Sequence, residues 1–205
     1  MLRKVQTRFI SYLCLEAQRK GMVKKVSFRR TFYRIIEKAL LRLHKPYMNV
    51  RIKRLRAEGA KVGDQCKIFT DLTLSEPYLI SIGNNVTIST NCTLLTHDNS
   101  VIKFMENATD VIGKVTIGSN CFIGANTVIL PGVSLADGTI VGAGSVVSKS
   151  ILDSNCVIAG NPARIITSTE NLKQKYRDNA FNLAGMNKLI RKQEIVGSDN
   201  KLICR

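Results

Sequence analysis

An aliphatic residue recurs every six positions through the second half of the chain, and this period constrains the fold more than any other feature. The positions are Val111, Ile117, Ile123, Ile129, Leu135, Val141 and Val147. A period of six matches neither the 3.6-residue turn of an α-helix nor the two-residue alternation of a strand. It suits short strands joined by tight corners, three to a coil. The spacing therefore predicts a parallel β-helix with 18 residues per coil.

The same spacing continues in both directions along the chain. It runs through Val62, Ile68 and Leu74, through Ile82, Ile88 and Leu94, and, after a one-residue deletion, through Leu152 and Ile158. Fifteen inward positions predict a mainly β domain of about five coils, roughly 24 Å long at the usual strand spacing. Glycine and asparagine supply the unusual backbone angles that such corners need.

The period breaks between Leu94 and Val111, where 17 residues stand in place of six. A coil that absorbed the surplus would turn its inward residues outward, so we expect about 11 residues to leave the stack as a loop. This loop contains His97, one of only two histidines in the chain. The other, His44, lies in a basic, helix-like segment and is expected to be structural or superficial.

Charge divides the chain into a basic arm and a nearly neutral body. Residues 1–60 hold 17 Lys or Arg against Glu16, Glu37 and Glu58, a balance of +14 out of a total of +16. Apolar residues in this arm recur at helical spacing, with basic residues beside them. Such helices either cap the first coil, or pack on a neighbouring subunit, or lie on an anionic membrane surface. No motif beyond charge supports nucleic-acid binding.

Several protein classes are disfavoured by the sequence. It has no apolar stretch of 18 residues, and Glu16 and Gln18 interrupt the only segment that resembles a signal peptide. The six cysteines show no metal-binding spacing, so we expect free thiols in a reducing cytosol. Cys66, Cys92 and Cys121 fall on the small interior position, where packing is the simplest role.

The segment "IGSNCFIGANTVILPGVSLADGTIVGAGSVVSKSI", followed by "VIAGNPARII", resembles the hexapeptide-repeat acyltransferases. It is similar in particular to their sugar and polysaccharide O-acetyltransferase branch. The resemblance covers about residues 60–166 and implies a left-handed β-helix, acetyl-CoA as the co-substrate, no metal, and a homotrimer with sites between subunits. It divides the chain into a basic helical segment 1–59, the acyltransferase domain 60–166 and a helical tail 167–205.

The resemblance also implies roles for individual residues. His97 would be the general base, a task that suits an imidazole near neutral pH. The predicted donor-binding residues are Ala125, Ala143, Ser148, Lys149 and Arg164, with the Ala125 amide as the oxyanion donor. Lower in rank are three acceptor-binding candidates, Asp71, Asp98 and Phe122. Asp98 either orients His97 or is simply solvated, and a family tryptophan on the acceptor side is absent here.

The predicted function is acetyl transfer from acetyl-CoA to a hydroxyl of a saccharide, such as a surface polysaccharide or its precursor. The protein is expected in the cytoplasm, or peripherally at the inner face of the membrane. Two alternatives remain: N-acetylation of an amino sugar, and a non-catalytic β-helix used for assembly. The γ-type carbonic anhydrases share the fold but need three zinc-binding histidines, and this chain has two.

Overall fold

The computed structural model describes residues 28–43, 46–72 and 74–203. Predictions made for residues 1–27 and for His44 lie outside these ranges. Most of the described chain consists of very short strands. They are β1 (Lys61–Val62), β2 (Lys67–Ile68), β3 (Ile80–Ile82), β4 (Thr87–Ile88), β5 (Thr93–Leu94), β6 (His97–Asp98), β7 (Val111–Ile112), β8 (Val115–Ile117), β9 (Phe122–Ile123), β10 (Val128–Ile129), β11 (Ser134–Leu135), β12 (Ile140–Val141), β13 (Val146–Val147), β14 (Cys156–Gly160) and β15 (Ala163–Ser168).

The strands stack into the three faces of a left-handed parallel β-helix. The first face has the order β1-β3-β8-β11, the second β2-β4-β9-β12-β14, and the third β5-β10-β13. The register joins residues of successive coils, as in the parallel pairs Ile82–Ile117 and Ile88–Ile123. Among the described residues, coils two to four have a strand on each face. The first coil contributes β1 and β2, and the fifth contributes a bridge from Leu135 to Ile151 on the first face and β14 on the second. The predicted fold class is confirmed.

The core is the column of inward aliphatic residues that the six-residue period identified. Thirteen of the fifteen predicted positions are buried: Val62, Ile68, Leu74, Ile82, Ile88, Leu94, Ile117, Ile123, Ile129, Leu135, Val141, Val147 and Ile158. The predictions for Val111 and Leu152 were wrong, because their side chains are 53% and 80% exposed. Val111 belongs to the excursion after the second coil, which therefore extends to residue 114, and Ile151 takes the place expected for Leu152.

Corner chemistry explains how the coils turn and why they stack closely. Asn85, Asn120 and Asn155 have φ of 53°, 59° and 58°, in the left-handed region that asparagine tolerates. Gly124 permits a close approach of neighbouring coils, since a Cβ there would lie 2.5 Å from the amide nitrogen of Ala143.

The three cysteines predicted to pack inside the coils do so. Cys66, Cys92 and Cys121 are buried, and they are free thiols. Burial raises the pKa of the Cys92 and Cys121 thiols, which keeps them in the unreactive protonated form. The burial of all three side chains supports a packing role.

Two helices close the N-terminal end of the stack. Residues 28–42 are helical (α1), and α2 runs from Met48 to Glu58. Ile52 and Leu55 of α2 join the hydrophobic core, and Met48 packs against it. The helical arm therefore caps the first coil, one of the positions the sequence allowed.

Buried charges hold α1 and α2 together. Both Arg51 and Arg54 donate through Nε to the carboxylate of Glu37, and these three side chains are at most 6% exposed. Arg54 also pairs with Glu58 and with Asp71. Burial alone would lower the pKa of Arg54, but the surrounding carboxylates raise it, so the guanidinium stays charged. A network of this kind fixes the orientation of the two helices.

Arginines of α2 also bind backbone carbonyls of the first coil. Arg51 Nη1 donates to the carbonyl oxygens of Ile68 and Thr70, at 2.8 and 3.0 Å. Arg56 donates to those of Val62 and Gly63, at 2.8 Å each. No coil precedes this one in the part of the chain that the structure describes, so the arginines supply donors that a neighbouring strand would otherwise provide.

The other end of the stack closes with a reversal of the chain. β15 turns back and pairs antiparallel with β14. It leads into α3 (Thr169–Tyr176), whose first turn is capped by the Ser168 hydroxyl, which accepts from the Asn171 amide. A further helix, α4, spans Lys188–Val196. No described helix has the length and apolar character needed to cross a membrane.

Candidate active site

His97 lies at the start of the loop that interrupts the coils. The short antiparallel pair β6–β7 forms the base of this loop, with His97 opposite Ile112. The amide of Gly113 donates to the carbonyl of Thr96 and closes the loop at its root. The His97 side chain is 36% exposed, so a solvent-borne group can reach the ring.

Glu76 holds the ring in place. Its Oε2 lies 3.0 Å from His97 Nδ1, and the hydroxyl of Thr96 donates to the same oxygen. The hydrogen bonds from Thr96 and His97 lower the pKa of Glu76, so this carboxylate is ionised and can only accept. Nδ1 therefore carries the proton, and Nε2 is left as the basic nitrogen.

The same contact changes the basicity of the imidazole. Hydrogen bonding to Glu76, together with its negative charge, raises the pKa of His97. A higher pKa makes Nε2 a stronger proton acceptor once it is unprotonated. Glu76 and His97 thus have the geometry of a carboxylate–imidazole pair.

The spacing of the inward residues contains a signal for Glu76. Leu74 and Ile82 are eight positions apart instead of six, so two residues are extra at this corner. Glu76 lies at the corner that follows the first coil's third side, and His97 at the equivalent corner of the second coil. Stacking of the coils brings these corners together.

Asp98, one of the three acceptor candidates, makes a local contact instead of touching the ring. Its Oδ1 accepts the Ser100 amide at 2.8 Å, a bond that lowers the pKa of Asp98. Ser100 begins a short 3₁₀ helix, Ser100–Lys103. Asp98 thereby shapes the loop, and Glu76 is the residue that orients His97.

A groove of about 780 Å³ runs along the second face of the last coils. Ala125, Ala143 and Phe122 line it, so three of the predicted site residues come together here. The opposite wall is made by residues that the sequence did not suggest: Ile166 and Thr167 of β15, and Asn171, Leu172, Lys175 and Tyr176 of α3. Across the described residues, the amide nitrogens of Ala125 and Ala143 donate no hydrogen bond to the chain.

The remaining predicted residues lie outside this groove. Ser148 and Lys149 are exposed at the corner after β13, the edge of the prism that also carries His97 two coils earlier. Arg164 is exposed, and its Nη1 donates to the carbonyl of Ala163. Asp71 accepts from Arg54 at 2.7 Å, which ties it to the capping network.

The topology separates the histidine from the groove within one chain. His97 projects from the edge between the third and first faces, whereas Ala125 and Ala143 lie at corners between the second and third faces. Within the described residues, no group of three His, Cys, Asp or Glu side chains is placed to bind a metal ion.

The repeat of this chain is similar to a repeat in known proteins. Residues 114–149 match the family model described as "Bacterial transferase hexapeptide (six repeats)". The repeat in this segment is therefore similar to the hexapeptide repeat of bacterial transferases.

Several known proteins are similar to this chain in fold or in part of the sequence. Over 79 residues, 37% of the chain, it is 41% identical to Protein CapG of Staphylococcus aureus, and the match spans 45% of that protein, less than half its length. It is 25% identical to a maltose O-acetyltransferase from Clostridium difficile 630, covering 72% of this chain and 87% of that one with a TM-score of 0.56. A galactoside acetyltransferase in complex with coenzyme A is 26% identical, covers 73% and 84%, and has a TM-score of 0.48. The resemblance found in the sequence is confirmed.

Proposed function

We propose that the protein is an O-acetyltransferase that moves an acetyl group from acetyl-CoA to a hydroxyl of a saccharide. The observation that carries this proposal is the solvent-accessible imidazole of His97, fixed through Nδ1 by Glu76 on the loop that leaves the β-helix. The similarity to a maltose O-acetyltransferase supports the reaction class and the saccharide acceptor.

The proposed chemistry is a direct transfer in a ternary complex. His97 Nε2 takes the proton of the acceptor hydroxyl as its oxygen attacks the acetyl carbonyl. The new ester C–O bond forms, the thioester C–S bond breaks, and the coenzyme A thiolate receives the proton from the imidazolium. No acyl-enzyme is required, in agreement with the buried, protonated state of Cys92 and Cys121.

The groove beside α3 is the proposed binding site for acetyl-CoA. The amide N–H groups of Ala125 and Ala143, which donate no hydrogen bond within the described chain, would bind the amide carbonyls of the pantetheine arm. In this proposal the Ala125 amide would also stabilise the oxyanion. Lys175, in the wall of the groove, offers a cation for the phosphates. Ser148, Lys149 and Arg164 retain their proposed role only if they reach the donor from another chain.

His97 and the groove lie on different edges of the prism, so the proposed reaction needs more than one subunit. We infer a homotrimer in which the His97 loop of one subunit lies against the Ala125 and Ala143 corners of the next. Five exposed apolar side chains on this loop and its base suit burial at such an interface: Ile102, Phe104, Met105, Val111 and Ile112. A second subunit would thus complete each site.

Acceptor recognition is proposed for the part of the groove that contains Phe122, beside the acetyl-CoA site. Phe122 is 44% exposed in the groove, where its ring could stack on the apolar face of a sugar. Asp71 and Asp98 make the internal contacts described above, so each would need a further free oxygen to bind an acceptor hydroxyl.

The decisive experiment measures acetyl-CoA consumption against a panel of oligosaccharides and anionic polysaccharides. The wild-type protein is compared with His97→Ala, and with Lys103→Ala as a control on the exposed part of the same loop. Loss of about 100- to 10,000-fold in the first variant alone supports the proposal. Undiminished transfer by a folded His97→Ala protein would defeat it and favour a non-catalytic role.

Treatment of the product with alkali shows whether the acetyl group is on oxygen or on nitrogen. Mild alkali removes an acetyl ester but leaves an acetamide in place. A mass shift that survives the treatment would therefore assign N-acetylation of an amino sugar in place of O-acetylation.

A further inference from the structure

Helix α1 presents an apolar face that nothing in the described chain covers. The residues of this outer apolar face are Phe28, Phe32, Ile35, Ala39 and, directly after the helix, Leu43. The aromatic and aliphatic members are heavily exposed: 73% for Phe28, 51% for Phe32, 64% for Ile35 and 67% for Leu43. Phe28 and Phe32 stack on one another along the helix, with ring centroids 6.5 Å apart.

The opposite face of α1 is fixed to the body of the protein. Glu37, buried against Arg51 and Arg54, lies about 170° around the helix from the centre of the outer apolar face, at 3.6 residues per turn. Arg30 and Arg34, on the same side as Glu37, both approach Glu58. The apolar residues therefore point away from the β-helix because the buried ion pairs hold the helix in this orientation.

Basic residues border the outer apolar face on both sides. At 100° per residue Lys38 and Arg42 lie along one flank, and Arg29 lies along the other. Among the described residues these three cations form no ion pair. An apolar stripe between rows of cations matches the boundary between acyl chains and anionic headgroups of a bilayer.

We propose that the outer apolar face of α1 docks this protein onto an anionic lipid membrane. The helix lies in the plane of the interface, with its apolar side chains in the acyl region and Arg29, Lys38 and Arg42 at the phosphates. The β-helix is held on the cytosolic side through Glu37 and its two arginines. The proposal is independent of acetyl transfer, since α1 contributes no residue to the groove or to the His97 pair.

Vesicle binding tests the proposal. The full-length protein is sedimented with vesicles of phosphatidylcholine alone and with vesicles that also contain phosphatidylglycerol. We expect binding to the anionic vesicles. The double variant Phe32→Ser/Ile35→Ser should reduce that binding at least about tenfold, and Lys38→Glu/Arg42→Glu by about fivefold or more per charge.

A matched control removes an equally exposed apolar side chain elsewhere. Leu152→Ser, at the last coil and 80% exposed, should leave vesicle binding unchanged. Each variant should fold, because none of the substituted side chains is buried. Circular dichroism checks this.

Three results would overturn the proposal. The first is wild-type protein that stays in solution with anionic vesicles. The second is Phe32→Ser/Ile35→Ser protein that binds them as the wild type does, which would mean simple electrostatic adsorption. The third is a change in oligomeric state of that variant, measured by sedimentation velocity without lipid, which would assign the face to a second copy of this chain.

Discussion

Glu76 Oε2 lies 3.0 Å from His97 Nδ1, although the two residues belong to different coils of the β-helix. The hydroxyl of Thr96 binds the same oxygen, so the carboxylate is held from two directions. The ring is therefore oriented by the stacking of coils, and its tautomer is set by an ionised partner. This relationship gives the candidate site its first test.

Replacing Glu76 by Gln should lower activity and move its pH dependence. Glu76 raises the pKa of His97, and the general base works only above that pKa, when Nε2 is unprotonated. Without the carboxylate the ascending limb of kcat/KM should shift to lower pH, toward the ordinary histidine value. The plateau should fall roughly 10- to 100-fold, because the ring is less basic and less well oriented.

The pH profile separates this effect from a general loss of structure. Glu106→Gln, in an exposed part of the loop that carries His97, should keep the wild-type pH of the ascending limb and the wild-type plateau of kcat/KM. An unmoved limb in Glu76→Gln would mean that the carboxylate does not set the basicity of His97.

Replacing Lys175 by Ala should weaken the binding of coenzyme A by about tenfold or more. Its ammonium is a cation in the wall of the groove, and charge-assisted hydrogen bonds to phosphate are among the stronger polar contacts. Calorimetric titration with coenzyme A measures the change in Kd. Lys173→Ala is the matched control, because Lys173 is on the same helix but pairs with Glu170 outside the groove. Equal affinity of both variants would place the phosphates elsewhere.

Replacing Glu37 by Ala should destabilise the protein by about 3–5 kcal/mol. The change leaves the buried guanidinium groups of Arg51 and Arg54 without their shared carboxylate. Urea unfolding followed by circular dichroism gives the free energy of unfolding. Glu194→Ala, in the exposed part of α4, should change it by less than about 0.5 kcal/mol. A similar small change for Glu37→Ala would mean that the buried network contributes little.

Replacing Gly124 by Ala should disturb both stability and the groove. The added methyl would meet the backbone nitrogen of Ala143 at 2.5 Å, and backbone cannot move aside as a side chain can. We expect a loss of about 1–3 kcal/mol in unfolding free energy, together with weaker binding of coenzyme A. Gly197→Ala, at the end of α4 with φ of −74°, should have a smaller effect. If Gly124→Ala keeps the unfolding free energy of the wild type, neighbouring coils can move apart enough to accommodate the methyl group.

The stacked coils were predictable because most inward residues obey one simple spacing. Ile117 to Val147 follow it without interruption, so their burial could be inferred from sequence. Val111 shows where the inference failed: an aliphatic residue six positions before Ile117 satisfied the count, yet it pairs with Asp98 in an antiparallel bridge. Spacing alone does not reveal whether a residue belongs to a coil or to a loop that leaves it.

The site was predictable only in part, because its contacts join residues that are distant in sequence. His97 was found from the break in the period, but its partner Glu76 lies 21 residues earlier. The wall formed by α3 depends on the reversal of β15, which the spacing does not encode. The bonds that Arg51 and Arg54 donate to Glu37 connect residues 14 and 17 apart, and a row of charges does not specify such pairs.

The arginines that bind the carbonyls of Ile68, Thr70, Val62 and Gly63 have a consequence for self-association. A stack of strands with open ends can recruit a further strand from another molecule and grow into a fibre. Here guanidinium groups occupy these four carbonyls at one end, and at the other end the antiparallel strand β15 covers β14 on the second face. A second molecule could add a strand at these positions only by displacing the arginines or β15, which disfavours head-to-tail growth of the stack.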